Sequence, residues 1–378
     1  MRICLVFDCL YPYTVGGGER WYRALAEGLA GRGRRVTYLT RLQWDPQAAP
    51  NVPGIDVIAV APAMDLYIEG RRSVSVQLRF ALGVFRHLLI HGGRYDVVQT
   101  PALHVSLLAV LAARPFRRFD VVVDWFEVWT REYWLEYLGA IAGRLGWLAQ
   151  RITARSRHEA LCFSLLHARR LEELGHRGSI TLVEGLSVLP AEDPMPVPGE
   201  PLVVFAGRHI PEKQAPAVVR AVARARERIP DLRAEIFGDG PDRGEVLRLI
   251  DENGLGGAVT APGFAAAGEV QERLRHALCH LFPSRREGYG LVVVEAAALG
   301  TPTVVVRSPD NAAVELIVDG ENGVVAASAE PEELADAILR VQAAGPELRR
   351  STAAWFRRNR ERLSLESTLD TLADVYGR

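Results

Sequence analysis

The stretch Pro283–Gly300 reads PSRREGYGLVVVEAAALG and follows a strand-like apolar run over residues 277–282. Gly288 and Gly290 allow the backbone to approach a ligand closely just before a strongly apolar helix. The first turn of a helix leaves four N–H groups without intrahelical partners, and the helix dipole adds partial positive charge there. The stretch therefore predicts a phosphate-binding turn within a strand–turn–helix unit, the building block of a parallel α/β sheet.

Two carboxylates, Glu287 and Glu295, flank this turn eight residues apart. One lies in the loop and the other about two helical turns further on, since one turn takes about 3.6 residues. Such a pair is poorly placed to act on one bond and better placed to hold two hydroxyl-bearing parts of a long ligand. A sugar nucleotide, with a pyrophosphate between two rings, is a ligand of this kind.

The composition is that of a globular enzyme. The chain has 378 residues, which predicts two domains. A net charge of −1 argues against a nucleic-acid-binding protein. The four cysteines lack metal-ligand or redox spacing and indicate buried thiols in a reducing compartment. Apolar runs too short for a signal peptide or a membrane span predict a cytoplasmic protein.

A single lysine, Lys213, occurs among the 45 Lys+Arg residues. A position that keeps lysine in so arginine-rich a chain is a candidate for a site that needs a compact, strongly hydrated ammonium group. Chance survival at an exposed helix start is the alternative, and the residue count alone does not choose between the two.

Strand-like runs alternate with helical segments over residues 1–190, which predicts a parallel, doubly wound sheet. A glycine turn at Gly16 and Gly17 leads into the first helix, in the context of a phosphate-facing helix start. A proline-rich linker over residues 191–200 cannot be a helix or a central strand. The alternation restarts over residues 201–359, and a last helix at about 360–378 is free to pack back on the first domain.

Two Rossmann-like halves across a proline hinge predict a ligand cleft at the carboxyl ends of both sheets. Arg208 and Lys213 follow the first strand of the second half and would neutralise a departing diphosphate, the role of a divalent metal in other transferases. Surface cations at a helix start are the alternative for this pair alone. Phe264 follows another strand of the same half, where a nucleobase could be contacted.

In the first half, Asp124 and Glu127 lie at the end of a strand that runs into an aromatic segment. They are candidates to bind an acceptor sugar, with His104 as a third; an aromatic core between helix and sheet is an equal alternative. The segment Arg71–Arg94 mixes arginines with apolar residues at helical spacing, which suits either an anionic membrane surface or a solvated amphipathic helix.

These motifs resemble those of the GT-B glycosyltransferases, specifically glycosyltransferase family 4 (group 1). The resemblance extends over nearly the whole chain, and its last motif is the family's Glu-x7-Glu. The four motifs, in order, are Gly16-Gly-Gly-Glu-Arg20, Gly207-Arg208 through Lys213, Gly238-Asp-Gly-Pro241, and Glu287-Gly-Tyr-Gly290 through Glu295.

The resemblance implies roles for individual residues. Arg208 and Lys213 would bind the donor diphosphate, Glu287 the hydroxyls of the donor sugar and Glu295 the ribose of the nucleotide. A further group would line the phosphates and the cleft: Gly16, Gly17, Gly288, Tyr289, Gly290 and Leu291.

The chain departs from the family pattern at two places. The histidine that many relatives carry after the strand ending at Asp124 is absent, which leaves Asp124, Glu127 and His104 as its candidate replacements. Tyr289 stands where phenylalanine is frequent, a mild change that should preserve the turn.

The implied activity is transfer of a hexose-type sugar from a UDP-, GDP- or ADP-sugar to an acceptor hydroxyl, with retention and without a metal or another cofactor. A sugar-nucleotide epimerase or phosphorylase on the same fold, and a non-catalytic nucleotide-sugar binding protein, are the alternatives. The acceptor (glycan, lipid-linked or small molecule), the oligomeric state and a peripheral membrane contact stay open.

Overall fold

The chain forms two compact units. The computed structural model describes residues 1–45, 47–48, 50–64, 67–68, 71–102, 105–186 and 193–377. Unit 1 comprises Met1–Val188 and Arg362–Arg378, and unit 2 comprises Leu189–Glu361. His104, and residues 191 and 192 of the proline-rich segment, lie outside the described residues.

Unit 1 is built on a seven-stranded parallel sheet. Its strands are β1 (Arg2–Val6), β2 (Arg35–Arg41), β3 (Ile55–Ala61), β6 (Val97–Pro101), β7 (Asp120–Trp125), β8 (Glu159–Cys162) and β9 (Ile180–Leu182), in the order β3-β2-β1-β6-β7-β8-β9. A separate antiparallel pair consists of β4 (Tyr67–Ile68) and β5 (Arg71–Arg72). The adjacent strands β6 and β7 are almost wholly buried, as expected for a parallel sheet covered by helices.

Helices cover both faces of this sheet. They are α1 (Gly17–Gly31), α2 (Val74–His91), α3 (Val105–Ala113), α4 (Arg131–Leu138), α5 (Ala140–Ala154), α6 (Leu165–Glu173) and α12 (Leu365–Tyr376). Buried residues of α2, α3, α5 and α6 form one core with Cys4 and Val6 of β1. Successive strand residues point to opposite faces, so Ile3 and Leu5 face the other side of the sheet.

The C-terminal helix α12 packs on α1 within unit 1. A Cβ atom placed on Gly28 would lie 2.5 Å from Cδ1 of Leu369, so glycine allows this close approach without a shift of the leucine side chain. Arg32, just after α1, pairs with Glu366 and Asp370 at 2.6 Å each. The chain therefore returns to its first unit after completing the second.

Unit 2 contains a six-stranded parallel sheet. Its strands are β10 (Glu200–Ala206), β11 (Arg233–Phe237), β12 (Val259–Gly263), β13 (Ala277–Phe282), β15 (Thr303–Val306) and β17 (Gly323–Ala326), in the order β12-β11-β10-β13-β15-β17. A short parallel ladder pairs β14 (Arg286–Glu287) with β16 (Asp310–Asn311).

Alternate residues of β10 supply two cores. Val203 and Phe205 pack with one set of helices, and Leu202 and Val204 pack with the other. The first set is α7 (Ala215–Ala225), α8 (Arg243–Glu252) and α11 (Pro331–Leu363), which is interrupted at Gly345; the second is α9 (Ala267–His276) and α10 (Leu291–Ala298). The predicted fold class, two parallel α/β sheets, is confirmed. In the described part of the chain no helix is long and apolar enough to cross a membrane.

Candidate functional site

Three loops meet at the carboxyl edge of the unit 2 sheet. They follow β10, β11 and β13, and parallel strands end at the same edge. Backbone hydrogen bonds join them: Gly207 N donates to Phe237 O at 3.1 Å, and Arg285 N donates to Glu212 O at 2.9 Å. The residues predicted to bind a donor are therefore carried on one connected surface.

Lys213 and Glu287 lie on two of these loops and form an ion pair between Nζ and Oε1. Their side chains are 18% and 9% exposed, and the Lys213 ammonium also lies 5.3 Å from the centroid of the Phe282 ring. The structure thus brings the one lysine of the chain to the first carboxylate of the Glu-x7-Glu stretch. Both side chains are largely shielded from solvent, and charges interact more strongly there than on an open surface.

The loop that carries Lys213 ends in a strained residue. Gln214 has φ 52° and ψ 39° and, among the described residues, is the only non-glycine residue with a positive φ. Side chains other than glycine adopt this region at a cost, and such outliers cluster at functional sites. Gln214 is also the N-cap residue of α7, so this conformation marks the point at which the Lys213 loop ends and the helix begins.

Glu287 of β14 lies opposite Asn311 of β16 in the parallel β14–β16 ladder. The buried Asn311 amide donates to Ser284 O at 3.0 Å and to Val306 O at 2.8 Å, and its oxygen accepts from Ala313 N at 3.1 Å. Sequence reasoning missed Asn311, because only the tertiary pairing of segments 24 residues apart gives it this position.

The turn before α10 requires glycine at Gly290. Its φ is 114°, and a Cβ atom would lie 2.9 Å from the Cβ of Ala313. Gly290 provides no side-chain cap for α10, and within the first turn Val293 N donates to Gly290 O at 3.0 Å. A helix start without a side-chain cap presents backbone N–H groups that a ligand can pair. Gly288 and Leu291 are half-buried here and Tyr289 is buried, while Glu295 lies half-buried in the second turn of α10.

The Gly238-Asp239-Gly240 turn packs directly on the loop of Arg208. A Cβ atom would lie 1.9 Å from Gly207 O if added to Gly238 and 2.4 Å from His209 O if added to Gly240, and both residues have positive φ. The third sequence motif is therefore a close backbone approach that shapes the loop after β10.

His209 is a second residue that sequence reasoning did not single out. It is fully buried, and neither ring nitrogen has a hydrogen-bond partner among the described residues. Burial lowers the pKa of this imidazole, and the nearby Arg243 guanidinium lowers it further. This buried ring directly follows the exposed Arg208 in the loop after β10.

Phe264 follows β12 at the edge of the sheet, and two thirds of its surface is exposed. Gly238 N donates to Gly263 O at 2.8 Å, which joins this strand end to the neighbouring loop. An exposed aromatic side chain at this position is available for stacking on a base.

In unit 1, Gly16 precedes α1 in extended conformation, and Gly17 is the first residue of the helix. A Cβ atom on Gly16 would lie 2.4 Å from Oε2 of Glu19. The buried Glu19 carboxylate therefore lies beside the first turn of α1, where a negative charge is favoured.

One acceptor candidate of unit 1 lies in the protein interior. Asp124 is fully buried, and its Oδ1 accepts from Gln99 Nε2 at 2.8 Å. Burial raises the pKa of this carboxyl to about 7. Gln99 in turn accepts a hydrogen bond from Tyr376 of α12. Asp124 is thus an interior group in this structure.

Glu127 is half-buried and accepts from Trp129 Nε1 at 2.6 Å. Trp129 packs against three further aromatic rings with centroids 4.7 to 5.2 Å away, those of Tyr133, Trp134 and Tyr137. The aromatic segment therefore packs largely on itself. Across the described ranges, no group of three or more His, Cys, Asp or Glu side chains could hold a metal ion.

Comparison with known proteins follows the same division of the chain. The family described as "Glycosyl transferase 4-like domain" matches residues 16–183, and "Glycosyl transferases group 1" matches residues 193–354. The alpha-D-kanosaminyltransferase of Streptomyces kanamyceticus is 27% identical over 275 residues, covering 72% of this chain and 64% of that protein. The chain spans less than half the length of other curated relatives that it matches.

Solved structures resemble the chain over nearly its full length. Sucrose-phosphate synthase from Thermosynechococcus elongatus has a TM-score of 0.83 at 20% identity, over 99% of this chain and 98% of that chain. HepE of Anabaena, solved in complex with UDP, has a TM-score of 0.74 at 16% identity, over 100% of both chains. Since the two family matches together cover most of the sequence, the chain belongs to the group 1 glycosyltransferases, and its two sheets are those of the GT-B fold.

Proposed function

We propose that the protein transfers a hexose-type sugar from a nucleoside diphosphate sugar to an acceptor hydroxyl, with retention of configuration and without a metal. The observation that carries the proposal is the Lys213–Glu287 pair beside the uncapped start of α10. A cation, the backbone N–H groups of a helix start and a carboxylate are the three groups that a diphosphate and a sugar hydroxyl need at one place.

In the proposed reaction the bond between the anomeric carbon and the diphosphate oxygen breaks, and the bond to the acceptor oxygen forms on the same face. The departing diphosphate gains negative charge, which Lys213, Arg208 and the first turn of α10 stabilise. Charge stabilisation at a preorganised site is commonly the largest contribution to catalysis. The acceptor proton passes to the diphosphate, so the reaction needs no side-chain base. Because the acceptor attacks directly on the face from which the diphosphate leaves, it needs no side-chain nucleophile either.

Glu287 is proposed to accept hydrogen bonds from the donor sugar, and Glu295 from the ribose. Lys213 compensates the charge of Glu287. When a donor binds, the diphosphate can take up the ammonium while the carboxylate turns to the sugar hydroxyls. Each member of the ion pair therefore neutralises the charge of the other until the donor binds.

We favour a uridine donor because HepE, which has the same fold, is solved in complex with UDP. A thermal-shift series with UDP, GDP and ADP tests this choice. A nucleotide at about 100 times its Kd should stabilise the protein by about 2.7 kcal/mol. The largest shift is expected with UDP; a larger shift with GDP or ADP would reassign the base, and no shift with any of them would refute the proposed site.

The stereochemistry and the reaction class have their own test. Donor and acceptor are incubated together, and the anomeric configuration of the product is read by NMR. We expect the donor's configuration in the product. An inverted product would contradict the mechanism, and conversion of the donor sugar without any acceptor would indicate an epimerase instead.

A further inference from the structure

Helix α5 of unit 1 exposes a continuous apolar stripe. Ile141, Leu145, Leu148 and Ile152 are 50% to 78% exposed. Their spacings of four, three and four residues place them on one side of the helix. A stripe of this kind normally faces a protein core, but here it faces outward.

Helix α2 also exposes large apolar side chains. Val74, Leu78, Leu82 and Ile90 are 54% to 67% exposed, while its opposite side is buried in the core of unit 1. Phe116, just beyond α3, is also largely exposed. Scattered exposed apolar residues need no explanation, but two sets of them on helices of the same unit do.

Both stripes lie on the same side of the unit 1 sheet. Phe80 of α2, Leu107 of α3 and Ala154 of α5 belong to one buried core on one sheet face. The outward sides of these helices therefore belong to one surface, which we call the helix-layer surface: the exposed residues of α2, α3 and α5 together with Phe116.

The charges of this surface have one sign. Helices α2, α3 and α5 contain no aspartate or glutamate, and their charged side chains are Arg79, Arg86, Arg144 and Arg151. The chain as a whole is balanced, with 46 acidic and 45 basic residues. An apolar stripe flanked only by arginines is typical of a helix that lies in the interface of an anionic bilayer.

We propose that the helix-layer surface docks the protein on an anionic lipid membrane. The apolar side chains would enter the boundary between headgroups and acyl chains, and the arginines would contact lipid phosphates. A second copy of the chain fits less well, because a two-fold interface would bring arginines against arginines without acidic partners on these helices. The inference stands independently of the proposed transfer reaction.

The test is co-sedimentation of the full chain with vesicles of phosphatidylcholine alone or mixed with phosphatidylglycerol. Binding is expected only with the anionic mixture, and it should weaken as salt is raised. The double variant Ile141→Glu with Leu145→Glu should reduce partitioning about tenfold or more, since two anchoring side chains are lost and like charge is introduced. Leu247→Glu, on the exposed side of α8 in unit 2, is the matched control and should bind like the unaltered chain.

Three results would overturn the proposal. The first is no binding of the unaltered chain to anionic vesicles, and the second is equal binding by the double variant. The third is a dimer in sedimentation velocity that the double variant converts to a monomer, which would assign the surface to a second copy. Both variants should keep the circular dichroism spectrum and nucleotide thermal shift of the unaltered chain, so a failure here is distinguishable from failure of the proposed function.

Discussion

At the scale of single residues, the Lys213–Glu287 pair yields the most direct prediction. Lys213→Ala and Glu287→Gln should each lower kcat about 100- to 1,000-fold, the range found when one group that stabilises a transition-state charge is removed. The reason is that the ammonium acts on the leaving diphosphate and the carboxylate on the sugar. Steady-state kinetics with the best donor measures both effects.

Arg340→Ala is the control for that experiment. Arg340 pairs with Asp319 at 2.7 Å in the same unit but on an exposed surface. Exposed pairs contribute about 0–1 kcal/mol, so this variant should keep its activity. Undiminished turnover in both site variants would reject their assigned roles.

Asp124 yields a prediction about pH. Burial raises its pKa in the folded chain to about 7 from the ordinary value of 3.8. Between these values the folded chain holds more protons than the unfolded chain, so stability should fall as pH rises through this window and level off above about 7. Asp124→Asn should flatten this dependence. Urea unfolding at pH 5 and pH 8 measures it, and an equal slope in both proteins would contradict the buried carboxyl as the cause.

Some single-residue features were predictable from the sequence and others were not. Lys213 stood out as the one lysine, and Glu287 and Glu295 by their spacing. Asn311 and His209 did not, because their importance arises from contacts with segments that are distant in sequence. Asp124 was a candidate as a polar residue at a strand end, but pattern alone could not tell that α12 packs nearby and keeps it buried.

At the scale of elements, the start of α10 depends on one glycine. Gly290→Ala should destabilise unit 2 by about 1–3 kcal/mol, because φ 114° is strained for alanine and the added methyl group meets Ala313. The displaced turn should also weaken nucleotide binding. Thermal unfolding with and without UDP measures both effects.

Gly244→Ala in α8 is the matched control, because a Cβ atom there meets nothing within 4 Å. Its effect should be neutral or stabilising by up to about 1 kcal/mol. Equal stability and equal UDP affinity of the Gly290→Ala variant would show that the turn tolerates a side chain.

The contact between α12 and α1 allows the contribution of apolar packing to stability to be compared with the contribution of ion pairs. Leu369→Ala should cost about 2–5 kcal/mol of stability, because a buried leucine leaves a cavity against Gly28. Arg32→Ala removes two exposed ion pairs and should cost less than about 1 kcal/mol. Urea unfolding of the two variants compares them, and a larger loss for Arg32→Ala would reverse this ranking.

At the scale of the whole molecule, donor binding should change the hydrogen-exchange rates of a few segments only. Hydrogen exchange in the presence of UDP should slow in the loops of unit 2 that carry the site, residues 207–214 and 283–295. Helix α5 should exchange at the same rate with and without UDP, because no residue of this helix belongs to the proposed donor site. Protection of α5 without protection of the unit 2 loops would contradict the placement of the donor.

The architecture of the molecule followed from its sequence because parallel strands buried on both faces are continuous apolar runs, easily separated from amphipathic helices. The two-residue ladder of β14 and β16 could not be predicted, since neither segment has strand character of its own. The exposure of the apolar stripe of α5 could not be predicted from the sequence either. Periodicity shows that a helix has an apolar face but not whether anything covers it.

The solitary lysine has a practical consequence for chemistry at the site. Reductive methylation with isotope-labelled formaldehyde can mark only two amines in this chain, the ammonium of Lys213 and the α-amino group of Met1. Because Lys213 touches Glu287, one spectral line would report the arrival of a ligand without any mutation, an internal reporter built into the native sequence.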